Sequence, residues 1–171
     1  LPKEHTHMET DQYVLWRGRD TSISKDKLSS VYSHIIKTCN KTESSVFTSF
    51  FTPVDERLEM KILNDEYVPI METICNYLNM DMHGFQYWTQ IYDGGHSAHN
   101  HAGYPCAVCF VHFIEPIGSF FYFVGPNKEK IYPKQEKGDI IAFDPHQMHG
   151  IDASHGNQRM TIAGNITSYG N

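Results

Sequence analysis

The sequence predicts an α+β chain, mainly β: a double-stranded β-helix, or jelly roll, braced by N-terminal helices. Three observations carry that expectation. Apolar residues recur at helical spacing up to about residue 80, and after residue 83 the period changes to two. Short β-rich runs then follow one another, separated by Gly, Pro, Asn and Asp, as in a sandwich or roll of many short strands. Helices first and strands afterwards place the helices on one outer face of that roll.

Residues 1–21 are polar and read as an irregular arm, with His5-Thr-His7 inside it. Residues 22–40 read as a helix, because Leu28, Val31, Ile35 and Cys39 share one face and Asn40 suits a stop. A short strand is expected within 46–51, closed by Pro53. Residues 54–80 are helical again, with Leu58, Ile62, Ile70, Ile74 and Leu78 in one stripe; Pro69 either kinks this helix or begins a second. Residues 22–80 thus form a helical support region. The expected strands are 84–92, 97–101, 106–114, 119–124, 129–132, 139–144, 148–152 and 158–167. Residues 84–168 form the expected catalytic core, and the 171 residues are expected to be a single domain.

Composition narrows the function. With 14 Lys+Arg against 20 Asp+Glu the net charge is −6, and no basic stripe is present. A nucleic-acid partner is not expected. No run approaches ~18 apolar residues, so no membrane span is expected, and the cytoplasm is the expected compartment. Cys106-x-x-Cys109 sits in an apolar run with no second such pair, which reads as buried thiols in a strand. Asn40-Lys-Thr and Asn165-Ile-Thr match a glycosylation sequon that is common by chance.

Histidine stands out. Of 11 His, His96, His99, His101, His112, His146, His149 and His155 fall in the strand-rich half. His99-Asn-His101 places two imidazoles on one face of a strand, able to converge on one ion. His149 follows on a later strand, which a jelly roll brings alongside. Three protein ligands on one face leave metal positions open for other ligands. An HxH pair alone reads more readily as a surface feature beside an unrelated His, and Arg159 shifts that balance. In the strand Gln158-Arg-Met-Thr-Ile-Ala-Gly-Asn165, Arg159, Thr161 and Ala163 share one face. An inward Arg in a small sheet needs an anion; its planar fork fits a carboxylate, and Thr161 adds a hydroxyl. The competing reading pairs Arg159 with a local acid such as Asp152.

His99-x-His101, Lys137-Gly-Asp-Ile-Ile-Ala-Phe143, His149-Gly150 and Arg159-x-Thr161, in that order, resemble the Fe(II)- and 2-oxoglutarate-dependent oxygenases. The nearest variety is the small bacterial and phage type, with an HxH segment and an ending like R-x-S/T-x-x-x-N-I, here Arg159 to Ile166. The resemblance covers residues 84–168. It implies Fe(II) held by His99 and His149, and 2-oxoglutarate anchored by Arg159 with help from Thr161. It implies O2 as cosubstrate and oxidative decarboxylation of 2-oxoglutarate coupled to hydroxylation of a small-molecule, protein or peptide substrate. By the same resemblance His112 is either a second carboxylate partner or a satisfied core histidine, and Gln90, sharing a face with Trp88 and Tyr92, lines the pocket near the cosubstrate.

The chain departs from the family at one position, because most members carry HxD or HxE. Either His101 completes a three-histidine site, or it is not a ligand and water or a distant carboxylate takes its place. A shifted register would make His101 the first ligand and put Gly103 at the acid position. His146 competes with His149 but lacks the neighbouring Gly and the Arg ten residues on. His96 and His155 read as loop histidines. Two other functions stand beside the oxygenase. A cupin-type dioxygenase wants a Glu soon after HxH, absent here, and leaves Arg159 without a role. A non-catalytic jelly roll with a metal site is the other. Substrate-choosing loops are expected at 44–57, 93–104 and 125–137.

Overall fold

The computed structural model describes residues 11–42, 46–93, 96–101, 105–118, 120–153 and 158–168. His5, His7, His155 and Gly103 of the shifted register lie outside them.

All eight expected strands of the second half form: β3 Met82–Tyr92, β4 His96–His99, β5 Val108–Glu115, β6 Phe121–Val124, β7 Lys130–Ile131, β8 Asp139–Phe143, β9 His149–Ile151 and β10 Arg159–Ser168. Two more precede them, β1 Trp16–Arg19 and β2 Val46–Thr48. They build a six-stranded sheet, ordered β1-β8-β5-β10-β3-β2, and a four-stranded sheet, ordered β4-β9-β6-β7. Every pairing is antiparallel. This is the double-stranded β-helix.

The expected arm is corrected in part. Trp16–Arg19 pairs with β8, so the segment closes one edge of the large sheet instead of trailing from it. Arg19 and Arg17 both reach the buried Asp139 carboxylate, at 3.0 and 3.6 Å, which ties this edge down electrostatically. His96, expected in a loop, begins β4.

Three helices brace the large sheet. Helix α1, Lys25–Thr38, starts where Ser24 accepts from the Lys27 backbone N–H, a standard N-cap bond. The second helical region is broken at Leu63 into α2, Leu58–Ile62, and α3, Asn64–Tyr77. The break therefore lies ahead of Pro69, which sits inside α3.

The large sheet is buried on both faces, and strand alternation sorts its residues between two cores. Val108, Phe110 and Ile114 of β5 pack under the helices with Ile140, Met160 and Ile162. Cys109, Val111 and Phe113 face the small sheet with Phe121, Phe123, Phe143 and Ile151. Gly164, in the middle of β10, is held to glycine by its neighbours: a Cβ there would strike the Gln86 carbonyl oxygen and meet the Phe110 ring at 2.6 Å. Gly164→Ala should therefore destabilise the protein by about 1–3 kcal/mol, the usual cost of overpacking, read as a lowered midpoint in urea.

His112 lies on the helix-facing side, opposite Ile162 and Ile140. It is 1% exposed; Nδ1 meets the Tyr67 hydroxyl at 2.7 Å and Nε2 meets the Asp20 carbonyl at 2.9 Å. Burial lowers its pKa below the ordinary 6.5, against smaller opposing effects of the Asp20 carbonyl and carboxylate. Because the unfolded chain takes up the proton first, this contribution to stability is complete above about pH 6.5 and is lost as pH falls toward the folded pKa. Melting temperatures should fall between pH 7.5 and 5.5, and less steeply in His112→Gln.

Candidate metal centre and its anion pocket

β4 and β9 are neighbours in the small sheet, and their register sets His99 directly opposite His149. His101 follows β4, its backbone N–H donating to the Pro145 carbonyl at 2.7 Å, which pins it beside the turn that leads into β9. The three rings converge, with centroids 4.4 Å apart for His99–His149, 5.1 Å for His101–His149 and 5.3 Å for His99–His101. One ring nitrogen from each lies within 4.8 Å of the others, close enough for one ion. Among the described residues no carboxylate or thiol joins this group. His101 and His149 are buried at 7% and 5% exposure.

Outer contacts fix two of these rings. The His149 Nδ1 lies 2.9 Å from the Gln147 carbonyl, which can only accept, so Nδ1 carries the proton and Nε2 the lone pair a metal needs. Phe143 packs edge-on to the His149 ring at 4.8 Å and Phe121 stacks on it at 5.7 Å. The His101 Nδ1 lies 2.9 Å from Asn165 Oδ1. Burial lowers the His101 pKa, only partly offset by that hydrogen bond. A neutral imidazole is the ligating form.

The inner face of β10 supplies the second part of the site. Thr161 lines the chamber beside the three histidines, together with Trp88, Gln90 and Tyr92 of β3. Register sets Gln90 opposite Thr161 and Tyr92 opposite Arg159. Arg159 shares this face and is 5% exposed. Its guanidinium stacks 4.3 Å over the Phe120 ring, and Nη2 donates to the Asp152 carbonyl at 2.6 Å. The Asp152 carboxylate is taken by Lys130 at 2.7 Å and by the Tyr132 hydroxyl. Arg159 therefore hydrogen-bonds the backbone carbonyl of Asp152 and not its carboxylate, whose charge acts on it without a direct contact. Burial lowers the Arg159 pKa, opposed by Tyr92 and Asp152. Arg159 Nε is buried without a hydrogen-bond partner, as is Trp88 Nε1, and Thr161 Oγ1 is buried beside the Tyr92 hydroxyl. Unmet buried donors of this kind are costly and mark a place for an acceptor.

The sequence-predicted residues thus divide. His99, His101, His149, Thr161 and Gln90 line one chamber, with Arg159 on the same sheet face. His112 is on the opposite face of the large sheet, bonded to Tyr67 and Asp20, so the second-carboxylate-partner role is corrected by its strand parity. His146 is an exposed histidine bonded to Asp144. Sequence reasoning missed the buried Arg57, which donates to the carbonyls of Phe50, Thr52 and Tyr87 and to Gln86, fastening the segment after β2 to β3. No local signal marks it, because all but one of its partners are backbone carbonyls. That segment walls a groove of about 480 Å3 over the histidines, lined by Val46, Phe50, Phe51, Trp88, His99 and Asn100 among others. Phe51 is 78% exposed at its rim. Two of the three expected substrate loops reach this groove; 125–137 does not line it.

No protein-family model matches the chain, and no curated protein matches it. Solved structures do. A prolyl-4-hydroxylase of Pseudomonas putida has a TM-score of 0.65 at 11% identity, over 98% of this chain and 99% of that one. An oxidoreductase of the 2OG-Fe(II) oxygenase family from Burkholderia pseudomallei has a TM-score of 0.66 at 9% identity, over 96% and 89%. A prolyl hydroxylase of Trichoplax adhaerens, in complex with a peptide fragment of the hypoxia inducible factor oxygen degradation domain, has a TM-score of 0.62 at 10% identity, over 98% and 92%. At these identities the likeness establishes the shared fold, the double-stranded β-helix of 2-oxoglutarate-Fe(II) oxygenases.

Proposed function

We propose that this chain is an Fe(II)- and 2-oxoglutarate-dependent oxygenase, a hydroxylase by reaction type. One observation carries the reading: three imidazoles converge on one point, and the facing strand β10 holds a buried Arg159 whose Nε has no hydrogen-bond partner, with Thr161 beside it. The donor set fits the group. His99, His101 and His149 would hold the iron, imidazole being a suitable ligand for it. Arg159 would take the far carboxylate of 2-oxoglutarate through charge-assisted hydrogen bonds, with Thr161 adding one more. When bound, iron and 2-oxoglutarate supply the oxidising chemistry with O2, and the protein supplies position, charge and dryness.

The chain's own residues do three things in this reading. The imidazoles and Arg159 fix the two ends of the cosubstrate. Phe121, Phe143, Val111 and Ile151 keep the chamber apolar and limit water. Gln90 and Tyr92, joined by a hydrogen bond, act as filler. The chamber is about 30 Å3, room for about one water, so a five-carbon diacid enters by displacing that pair. A cupin-type enzyme is not favoured, since it gives the buried Arg159 no task.

The reacting substrate would enter by the groove above His99 and His101. Among the described residues no Lys, Arg, Asp or Glu lines it, which favours an uncharged group. A small molecule or a peptide both fit that chemistry, and the Trichoplax adhaerens relative holds a peptide. No helix among the described residues is long and apolar enough to cross a membrane.

Calorimetry tests the proposal. With Mn(II) in place of iron, 2-oxoglutarate should bind about tenfold tighter or more than without metal, a difference of ~1.4 kcal/mol. Binding of 2-oxoglutarate that is indifferent to the metal would refute it.

A further inference from the structure

We infer that Asn165 is a positioning residue for the metal centre, setting the tautomer and orientation of His101 so that this third imidazole can ligate. The inference rests on the three-histidine reading above. It explains how a chain without the expected acid completes a ligand set.

Asn165 lies on β10, on the face shared by Arg159, Thr161 and Ala163, and its register partner on β5 is Cys109. It is 4% exposed. Its Oδ1 lies 2.9 Å from His101 Nδ1 and accepts from the Cys109 thiol at 3.4 Å. Cys109 Sγ in turn lies 3.2 Å from the same Nδ1. One amide oxygen therefore faces two donors. With the proton on Nδ1, Nε2 keeps the lone pair that a metal ligand requires. The reversed amide would present its NH2 to Nδ1 and force the proton onto Nε2, the nitrogen a metal needs. With oxygen inward, the amide accepts from the imidazole N–H and from the thiol together. His101 follows the end of β4, outside the strand pairing that sets His99 opposite His149. Asn165 reaches it from the opposite sheet.

The test is Co(II) binding to the full chain, read by affinity and by the visible absorption of the bound ion. Asn165→Leu, of similar volume but without an acceptor, should lose about 10–100-fold in Co(II) affinity and shift the absorption bands. Asn165→Asp keeps an oxygen toward both donors and should match or exceed the wild type. Leu binding as tightly as wild type with an unchanged spectrum overturns the inference. So does an Asp variant as weak as Leu, because the amide NH2 would then be the group that matters. If Asn165→Leu is unfolded by circular dichroism, the Asp variant decides: retained affinity supports the role, and weakened affinity overturns it. Failure of the wild type itself to bind Co(II) refutes the three-histidine centre, a distinct outcome from failure of Asn165 alone.

Discussion

Replacing Arg159 by Ala should abolish measurable binding of 2-oxoglutarate to the Mn(II)-loaded protein, weakening it by about two orders of magnitude or more. Truncating one member of a buried, hydrogen-bonded charge pair typically costs about 2–5 kcal/mol. Arg159 is buried, its Nε has no partner, and the nearest acid, Asp152, spends its carboxylate on Lys130 and Tyr132. Arg159→Lys should recover only part of the affinity. A single ammonium cannot reproduce a fork that holds the Asp152 carbonyl with one nitrogen and a ligand with another. Mn(II) affinity should stay unchanged in both variants, because Arg159 is not among the converging nitrogens. Undiminished 2-oxoglutarate binding in Arg159→Ala would remove Arg159 from the cosubstrate site.

Removing a ligand should have the other large effect. His99→Ala and His149→Ala should each reduce metal affinity beyond the roughly 10–100-fold expected for losing an outer partner. The two rings face each other across β4 and β9 and have the closest centroids, 4.4 Å, so each removal halves the core of the site. His101→Ala separates the two readings of the HxH motif. A loss as large as that of His99→Ala makes His101 the third ligand. An unchanged affinity would strike it from the set, and metal titrations followed by Co(II) absorption report both.

Much of this architecture is legible in the sequence because strands and helices announce themselves by period. The eight strands after residue 82 stand where alternation and turn residues put them. The relation of His99, His149 and Arg159 is legible because their residue types are expensive to bury without a shared purpose. Thr161 and Gln90 follow from counting by twos along β10 and β3, and the register pairs them. His112 was not legible in the same way. Its strand, Val108–Glu115, is apolar at nearly every position, so both parities look like core and nothing local says which face meets the helices. Trp16–Arg19 was missed because a polar edge strand of four residues carries too little pattern, and its pairing with β8 is made at long range.

By itself the sequence determined the fold class and the order of helices and strands from residue 22 onward, and it singled out His99, His149 and Arg159 as candidates, since these depend on local periodicity and on the cost of burying polar groups. Tertiary structure alone decided which sheet face each residue occupies, that the Asp152 charge is already taken, and that Asn165 of the large sheet meets His101 beside the small one. These are contacts between segments far apart in the chain. They are fixed by strand register and by the packing of one sheet on another, which no local pattern encodes.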